Sequence, residues 1–241
     1  MPPEGNAIKA MFGRIAPRYD LANLILSGGM SRCWQRALVR QAVRATPPRG
    51  TIADLATGSG DVALALACAH PTARVRGLDF CEPMLAEARR KLNKTAHGNG
   101  NATTRVEFGI GDCMALPLAD ATQDTVTIAY GVRNFQNRAR GLREIHRVLR
   151  EGGTAFILEF TQPPRPFRPA YYVYLRKLLP TLARLATGNR DAYEYLVKSI
   201  AEFPGKEAFA DEIRAAGFSS VRAVSCAPGV VAIHRATKDP R

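Results

Sequence analysis

The chain has 241 residues, 46% of them hydrophobic, and its 34 Lys and Arg against 21 Asp and Glu give a formal charge of +13. That length buries one sizeable core and the composition shows no shift along it, which predicts a single domain over 1–241. Five scattered cysteines, odd in number and without a Cys-x-x-Cys pair, argue against a disulfide framework and suggest no metal site.

In chain order, residues 6–18 carry Ile8, Met11, Phe12 and Ile15 at helical spacing until Pro17 stops them. A second periodic stretch, 21–27, ends at Gly28 and Gly29. Ser31 is placed to cap a third helix, through Trp34, Leu38 and Val43 to the turn at Pro47 and Pro48. Residues 1–50 thus form a helical segment positioned to fold over a site as a lid. Tyr19 and Trp34 read equally well as ligand contacts or as aromatic packing.

Residues 51–56 are a short apolar run holding Asp54, as expected of a buried parallel strand, and Gly58-Ser59-Gly60-Asp61 follows it directly. A small apolar helix, 62–67, comes next. The second strand, 74–80, ends near Asp79 and Phe80, and residues 82–92, with Met84, read as a helix. After a polar loop at 97–104, a third strand at 106–109 leads to Asp112 and Cys113. A fourth, 123–130, leads to Gly131, Arg133 and Asn134. A helix at 139–149, closed by Gly152 and Gly153, precedes a fifth strand at 154–160. This repetition predicts an α/β fold with a parallel sheet.

Residues 161–190 break the rhythm with Pro163, Pro164, Pro166 and Pro169, then Tyr171, Tyr172 and Tyr174 among Arg and Lys. Such a stripe is either a greasy substrate entrance resting on an anionic membrane surface or ordinary core. Helices at 189–203 and 206–216 and a hairpin at 220–226 and 230–236 close the chain. Seven strands, mostly parallel with an antiparallel last strand, make the Rossmann-like architecture of class I methyltransferases.

The strand, glycine turn and helix N-terminus form a nucleotide-type cofactor site, with Asp79 about 20 residues on, where it reaches a ribose diol. The glycines do not follow G-x-G-x-x-G, and Asp61 sets a carboxylate where a pyrophosphate would lie. Like charges repel there, whereas a cationic sulfonium with its ammonium group is welcome. S-adenosylmethionine therefore fits better than a dinucleotide. The expected contacts are Asp54, Gly58, Ser59, Gly60, Asp61, Asp79, Phe80, Met84, Asp112 and Cys113. Asp112 serves equally as a turn cap, and Met84 as helix-to-sheet packing.

No apolar segment approaches the roughly 20 residues of a bilayer span, and the N-terminus lacks a secretory apolar core, so a cytoplasmic location is expected. The positive charge would suit nucleic acid, but the Arg residues are dispersed along helices without a basic tail. Solvated helix faces or peripheral contact with an anionic membrane are the preferred readings.

Taken together, several motifs resemble the ubiquinone/menaquinone biosynthesis C-methyltransferase family over nearly the whole chain. They are Arg18-Tyr19-Asp20, Asp54-Leu55-Ala56-Thr57-Gly58-Ser59-Gly60-Asp61, Gly77-Leu78-Asp79-Phe80, Gly131-Val132-Arg133-Asn134 and Leu158-Glu159-Phe160. The chain departs from the family pattern at Glu151, Gln123 and Ala129. The resemblance implies methyl transfer from S-adenosylmethionine to a ring carbon of a polyprenylated quinol, demethylmenaquinol ahead of the ubiquinone-pathway benzoquinol. It also makes a homodimer an open expectation. Arg133 would stabilise the quinol oxyanion, Asn134 would hold the hydroxyl or a water, and Tyr19 would bound the ring. None of the four histidines, His70, His97, His146 and His234, is given a catalytic role. Methylation of a soluble phenol or polyketide, a cofactor-binding module without turnover, and RNA methylation are the competing readings.

Overall fold

The computed structural model describes residues 5–16, 19–96, 105–163, 166–175 and 190–239. Three helices lead the chain: α1 (Gly5–Ile15), α2 (Tyr19–Leu26) and α3 (Met30–Ala45). Strands and helices then alternate through β1 (Thr51–Leu55), α4 (Asp61–Ala69), β2 (Arg74–Asp79), α5 (Glu82–Ala96), β3 (Val106–Ile110) and β4 (Gln123–Ala129). A 3₁₀ turn (Val132–Asn134), α6 (Arg138–Val148) and β5 (Leu149–Phe160) follow. Last come α7 (Arg168–Val173), α8 (Arg190–Glu202), α9 (Lys206–Ala215), β6 (Ser220–Cys226) and β7 (Val231–Thr237).

The seven strands form one sheet in the order β3-β2-β1-β4-β5-β7-β6. The first five are parallel: helical crossovers join β1 to β2, β2 to β3 and β4 to β5, and a loop without a helix returns the chain from β3 to β4. The short turn between β6 and β7 leaves them antiparallel, and β7 also runs antiparallel to β5. This is the doubly wound sheet expected from the sequence. Its order reverses between β1 and β4, and at such a switch point the carboxyl ends of the strands open a crevice.

Alternation along β1 sorts its side chains onto two cores. Ile52 packs with Trp34 and Leu38 of α3 and with Val62 and Leu66 of α4. Ala53 and Leu55 face the opposite way, into the cluster holding Leu142 and Ile145 of α6 and Phe209 and Ile213 of α9. Asp54 shares the Ile52 face, on the side of the glycine turn.

Two local expectations are corrected. Ser31 lies inside α3, whose N-terminal flank is Gly29 with no side-chain cap; its hydroxyl instead accepts from Ser27 at 3.0 Å. Gly152 and Gly153 do not end α6, which stops at Val148, but form a bulge within β5. The register slips there between Gln123 and Thr125 of β4. Gly152 is left-handed at φ 75°, and a Cβ on Gly153 would lie 2.8 Å from the Arg150 carbonyl oxygen. The polar loop expected at 97–104 and the Leu178 and Leu179 positions lie outside the described residues.

Candidate active site

Gly58 and Gly60, at φ 55° and 82°, turn the chain sharply between β1 and α4. A Cβ on Gly60 would sit 2.8 Å from both Ala88 Cβ and Phe108 Cζ, so only glycine lets α5 and β3 come this close. Two buried carboxylates flank the turn. Asp79 accepts the Gly58 N–H at 2.8 Å and the Cys81 N–H at 2.9 Å, one on each oxygen. Burial pushes its carboxyl above the ordinary range. Asp54, 1% exposed, accepts hydroxyls from Thr57 and Thr127, both at 2.6 Å. Burial outweighs those bonds and raises its pKa from 3.8 to about 6. Among the described residues no cation pairs with Asp54. Arg32 lines the same small cavity but is not ion-paired with Asp54; a buried carboxylate at a cleft and outside any ion pair fits a cationic ligand, so the residues present match S-adenosylmethionine.

α2 lies across this turn. Asp20 accepts the Ser59 hydroxyl at 2.5 Å, and Lys91 of α5 bridges Asp20 and Asp61. The cavity left beneath is about 50 Å³ and is lined by Asp54, Gly58, Ser59 and Tyr130. It adjoins an apolar cavity of about 290 Å³ walled by Trp34, Tyr130, Phe160, Tyr171, Tyr174 and Leu175. Asn23, Ser31 and Tyr130 belong to both.

Arg133 is the charged residue in the wall of the apolar cavity. Its Nη1 donates to Glu159 Oε1 at 2.9 Å and to the Tyr130 carbonyl at 2.5 Å, and its guanidinium lies 5.2 Å from the Phe160 ring centroid. Glu159, 0% exposed, also accepts the backbone N–H of Arg133 and of Phe160. The ion pair is buried and holds the guanidinium in one orientation. The turn that carries it is packed without slack: a Cβ on Gly131 would lie 2.6 Å from Ala56 Cβ and 3.1 Å from Ile128 Cγ2. Gly131→Ala is expected to destabilise the fold by about 1–3 kcal/mol and to lower turnover. A thermal melt beside a methyl-transfer assay checks both.

Asp54, Gly58, Ser59 and Asp61 line the small cavity, Gly60 completes the turn, Asp79 is tied to the Gly58 amide, and Arg133 lines the adjoining apolar cavity. Other expected residues have different surroundings. Asn134 lines a polar, open cavity of about 880 Å³ behind the turn, where its Oδ1 accepts the Tyr195 hydroxyl at 2.8 Å; it does not line the apolar cavity. Asp61 lines the small cavity but is half exposed and tied to Lys91. Asp112 is exposed and accepts the Met114 N–H at 2.8 Å, which is the turn-capping arrangement. Met84 is buried with Phe12, Ala16 and Cys81 beneath α1. Phe80 is half-buried beside Asp79, and Cys113 is buried with its thiol pKa pushed up. The side chain of Tyr19 lies outside the described residues. Of the histidines, His234 is buried with Nε2 2.9 Å from the Lys206 carbonyl, remote from the crevice. Among the described residues no group of three His, Cys, Asp or Glu is arranged to hold a metal ion.

Four contributors were given no site role from the sequence: Asp20, Tyr130, Glu159 and Tyr195, although Asp20 and Glu159 stand in the family-like motifs. Glu159 had a further signal, because a lone carboxylate inside the apolar run of β5 needs a buried partner. The partnership of Tyr195 with Asn134 had no local signal, since only the fold brings α8 to the 3₁₀ turn.

Residues 3–238 match the model of the ubiE/COQ5 methyltransferase family. The demethylmenaquinone methyltransferase of Thermus thermophilus is 47% identical over 225 residues, covering 93% of this chain and 98% of that one. The ubiquinone/menaquinone biosynthesis C-methyltransferase UbiE of a Geobacter species is 38% identical over 237 residues, covering 98% and 97%. Solved structures agree on the fold. A SAM-dependent methyltransferase of Thermotoga maritima superposes with TM-score 0.63 at 20% identity, covering 95% of this chain and 99% of that one. One from Aquifex aeolicus gives 0.59 at 19%, covering 82% and 86%. The fold, the acid-flanked glycine turn and the match over nearly the whole length agree: this chain belongs to the ubiE/COQ5 methyltransferase family.

Proposed function

We propose that the chain transfers a methyl group from S-adenosylmethionine to a ring carbon of a polyprenylated quinol, with demethylmenaquinol as the acceptor. One observation carries this reading: a crevice lined by the buried Asp54 carboxylate, which has no ion-pair partner among the described residues, adjoins an aromatic-lined cavity whose charged wall residue is Arg133. When bound, the donor supplies a methyl group on a cationic sulfur. Asp54 would receive its ammonium end, and Asp79 its ribose diol. A quinol hydroxyl has a pKa of roughly 10. Arg133 would hold that oxygen as its proton leaves, which pushes electron density onto the adjacent ring carbon. Glu159 keeps the guanidinium aimed, and Asn134 acts from behind the turn. The aromatic walls suit a fused bicyclic ring and exclude water from the reacting atoms.

Purified protein given labelled donor and the two demethylated quinols is expected to place the label in a ring methyl of menaquinol. Absence of label from both quinols would end the reading.

The apolar cavity, near the lower end of small-ligand pockets of roughly 300–1,000 Å³, holds a ring but not a polyprenyl tail. That tail has to leave past α7, where Phe167 and Val173 are 66% and 55% exposed. Among the described residues no helix is long and apolar enough to cross a membrane. The proposal therefore includes peripheral contact with an anionic bilayer through α7. Phe167→Asp with Val173→Asp is expected to weaken sedimentation with phosphatidylglycerol vesicles by about tenfold or more. Unchanged sedimentation would exclude α7 as the contact.

A further inference from the structure

We infer that Tyr130 decides which atom of the acceptor is methylated, carbon rather than oxygen; this rests on the quinol reading above. The residue borders both the small cavity beside the glycine turn and the apolar cavity, so it stands where a methyl group has to cross. Its backbone is left-handed at φ 60°, a conformation that bulky side chains rarely adopt. The surroundings enforce it: the amide donates to the Leu158 carbonyl at 2.8 Å, and the ring leans on Phe160 with centroids 5.2 Å apart. The same turn aims the Tyr130 carbonyl at Arg133 Nη1. The group that would hold the acceptor oxygen and the ring that bounds the crossing point are therefore one braced unit.

A quinol losing its proton offers two nucleophiles, the oxygen and the carbon beside it. Oxygen carries more of the charge and is alkylated in a loose site. With that oxygen held on Arg133 and the Tyr130 ring filling the adjoining space, the neighbouring carbon is the atom presented to the crossing point. In carbon attack, a ring electron pair forms the new C–C bond as the methyl–sulfur pair stays on sulfur. The ring proton then passes to water and aromaticity returns. In oxygen attack a lone pair forms the C–O bond, and the hydroxyl proton passes to water. Both routes release one thioether and one proton, so the product ratio reports geometry alone.

The test uses full-length protein with S-adenosylmethionine and demethylmenaquinol. Tyr130→Gly removes the ring while accepting the left-handed backbone, and Tyr130→Asn does so with a small side chain that tolerates it. Both are expected to slow carbon methylation by roughly 100-fold, as for a misplaced reacting centre, and to yield the O-methyl ether. Tyr130→Phe keeps the ring and is expected to give carbon product only. Occupancy is read separately: Trp34, the chain's single tryptophan, lines the apolar cavity, so quenching of its fluorescence by demethylmenaquinol should persist in all three variants. Carbon product alone from folded Tyr130→Gly or Tyr130→Asn overturns the inference, as does ether from Tyr130→Phe. If the wild type methylates no quinol, the reading beneath it falls instead.

Discussion

Glu159→Ala is expected to lower stability by about 3–5 kcal/mol, because it strands the Arg133 guanidinium, whose side chain is 6% exposed, without its carboxylate. At roughly 2–4 °C per kcal/mol for a chain of this size, the melting temperature should drop by about 10 °C. Turnover should be lost as well, since the freed guanidinium no longer points into the apolar cavity. A double substitution separates the two effects. Arg133→Met with Glu159→Gln replaces the ion pair by groups of similar volume; the single Gln oxygen keeps an acceptor for one of the Arg133 and Phe160 amides, which donate to different Glu159 oxygens. Stability should recover in part while methyl transfer stays absent. Urea unfolding and a turnover assay on the same preparations check this. Recovery of turnover in the double variant would remove Arg133 from the mechanism.

Asp54→Asn is expected to act in opposite directions on stability and on cofactor affinity. Burial raises the Asp54 pKa from 3.8 to about 6, so the folded state holds this proton more tightly than the unfolded state does. The stability associated with the protonated form is complete below about pH 4 and is lost as the pH rises through 6. Above that, the buried charge destabilises the ligand-free protein by about 3 kcal/mol, from some two units at 1.36 kcal/mol each. Asparagine removes the charge, and the Thr57 and Thr127 hydroxyls can rotate to serve its amide. The ligand-free variant should therefore melt higher at pH 7 and lose the pH dependence between 4 and 6. Affinity for S-adenosylmethionine should fall by roughly 100-fold, the consequence of deleting one charge of a buried pair. In the wild type that affinity should weaken about tenfold per unit as the pH drops below 6, because the proton has to leave before the cation binds. Calorimetric titration from pH 5 to 8 measures it, and a flat wild-type profile would show that Asp54 does not meet the donor.

Much of the framework was legible because it rests on local signals. The apolar run around Asp54, the glycines at 58 and 60 and the strand ending at Asp79 each dictate backbone shape within a few residues, and the sheet follows from their repetition. The two glycines at 152 and 153 misled because the same residue type serves both helix ends and bulges, and only pairing with neighbouring strands decides between them; Ser31 misled because α3 already starts at Met30, behind the left-handed Gly29. Arg133 was visible as a cation at a strand's carboxyl edge. Its dependence on Glu159 and the Tyr130 carbonyl was not, since the three meet only when β4 and β5 lie side by side. The surroundings of Asn134 were hidden for the same reason: it lines the cavity behind the turn and not the apolar one, whereas its neighbour Arg133 lines both.

The hydrogen bond from Trp34 Nε1 to the Ala227 carbonyl, 2.8 Å long, joins positions 193 apart in the chain. The acceptor chamber is thus closed between an early helix and the last hairpin, with Pro228 and Val230 as part of its lining. During synthesis the residues of the glycine turn are made well before those of that hairpin. The apolar chamber should therefore be the last part of the site to close, once nearly the whole chain has been made.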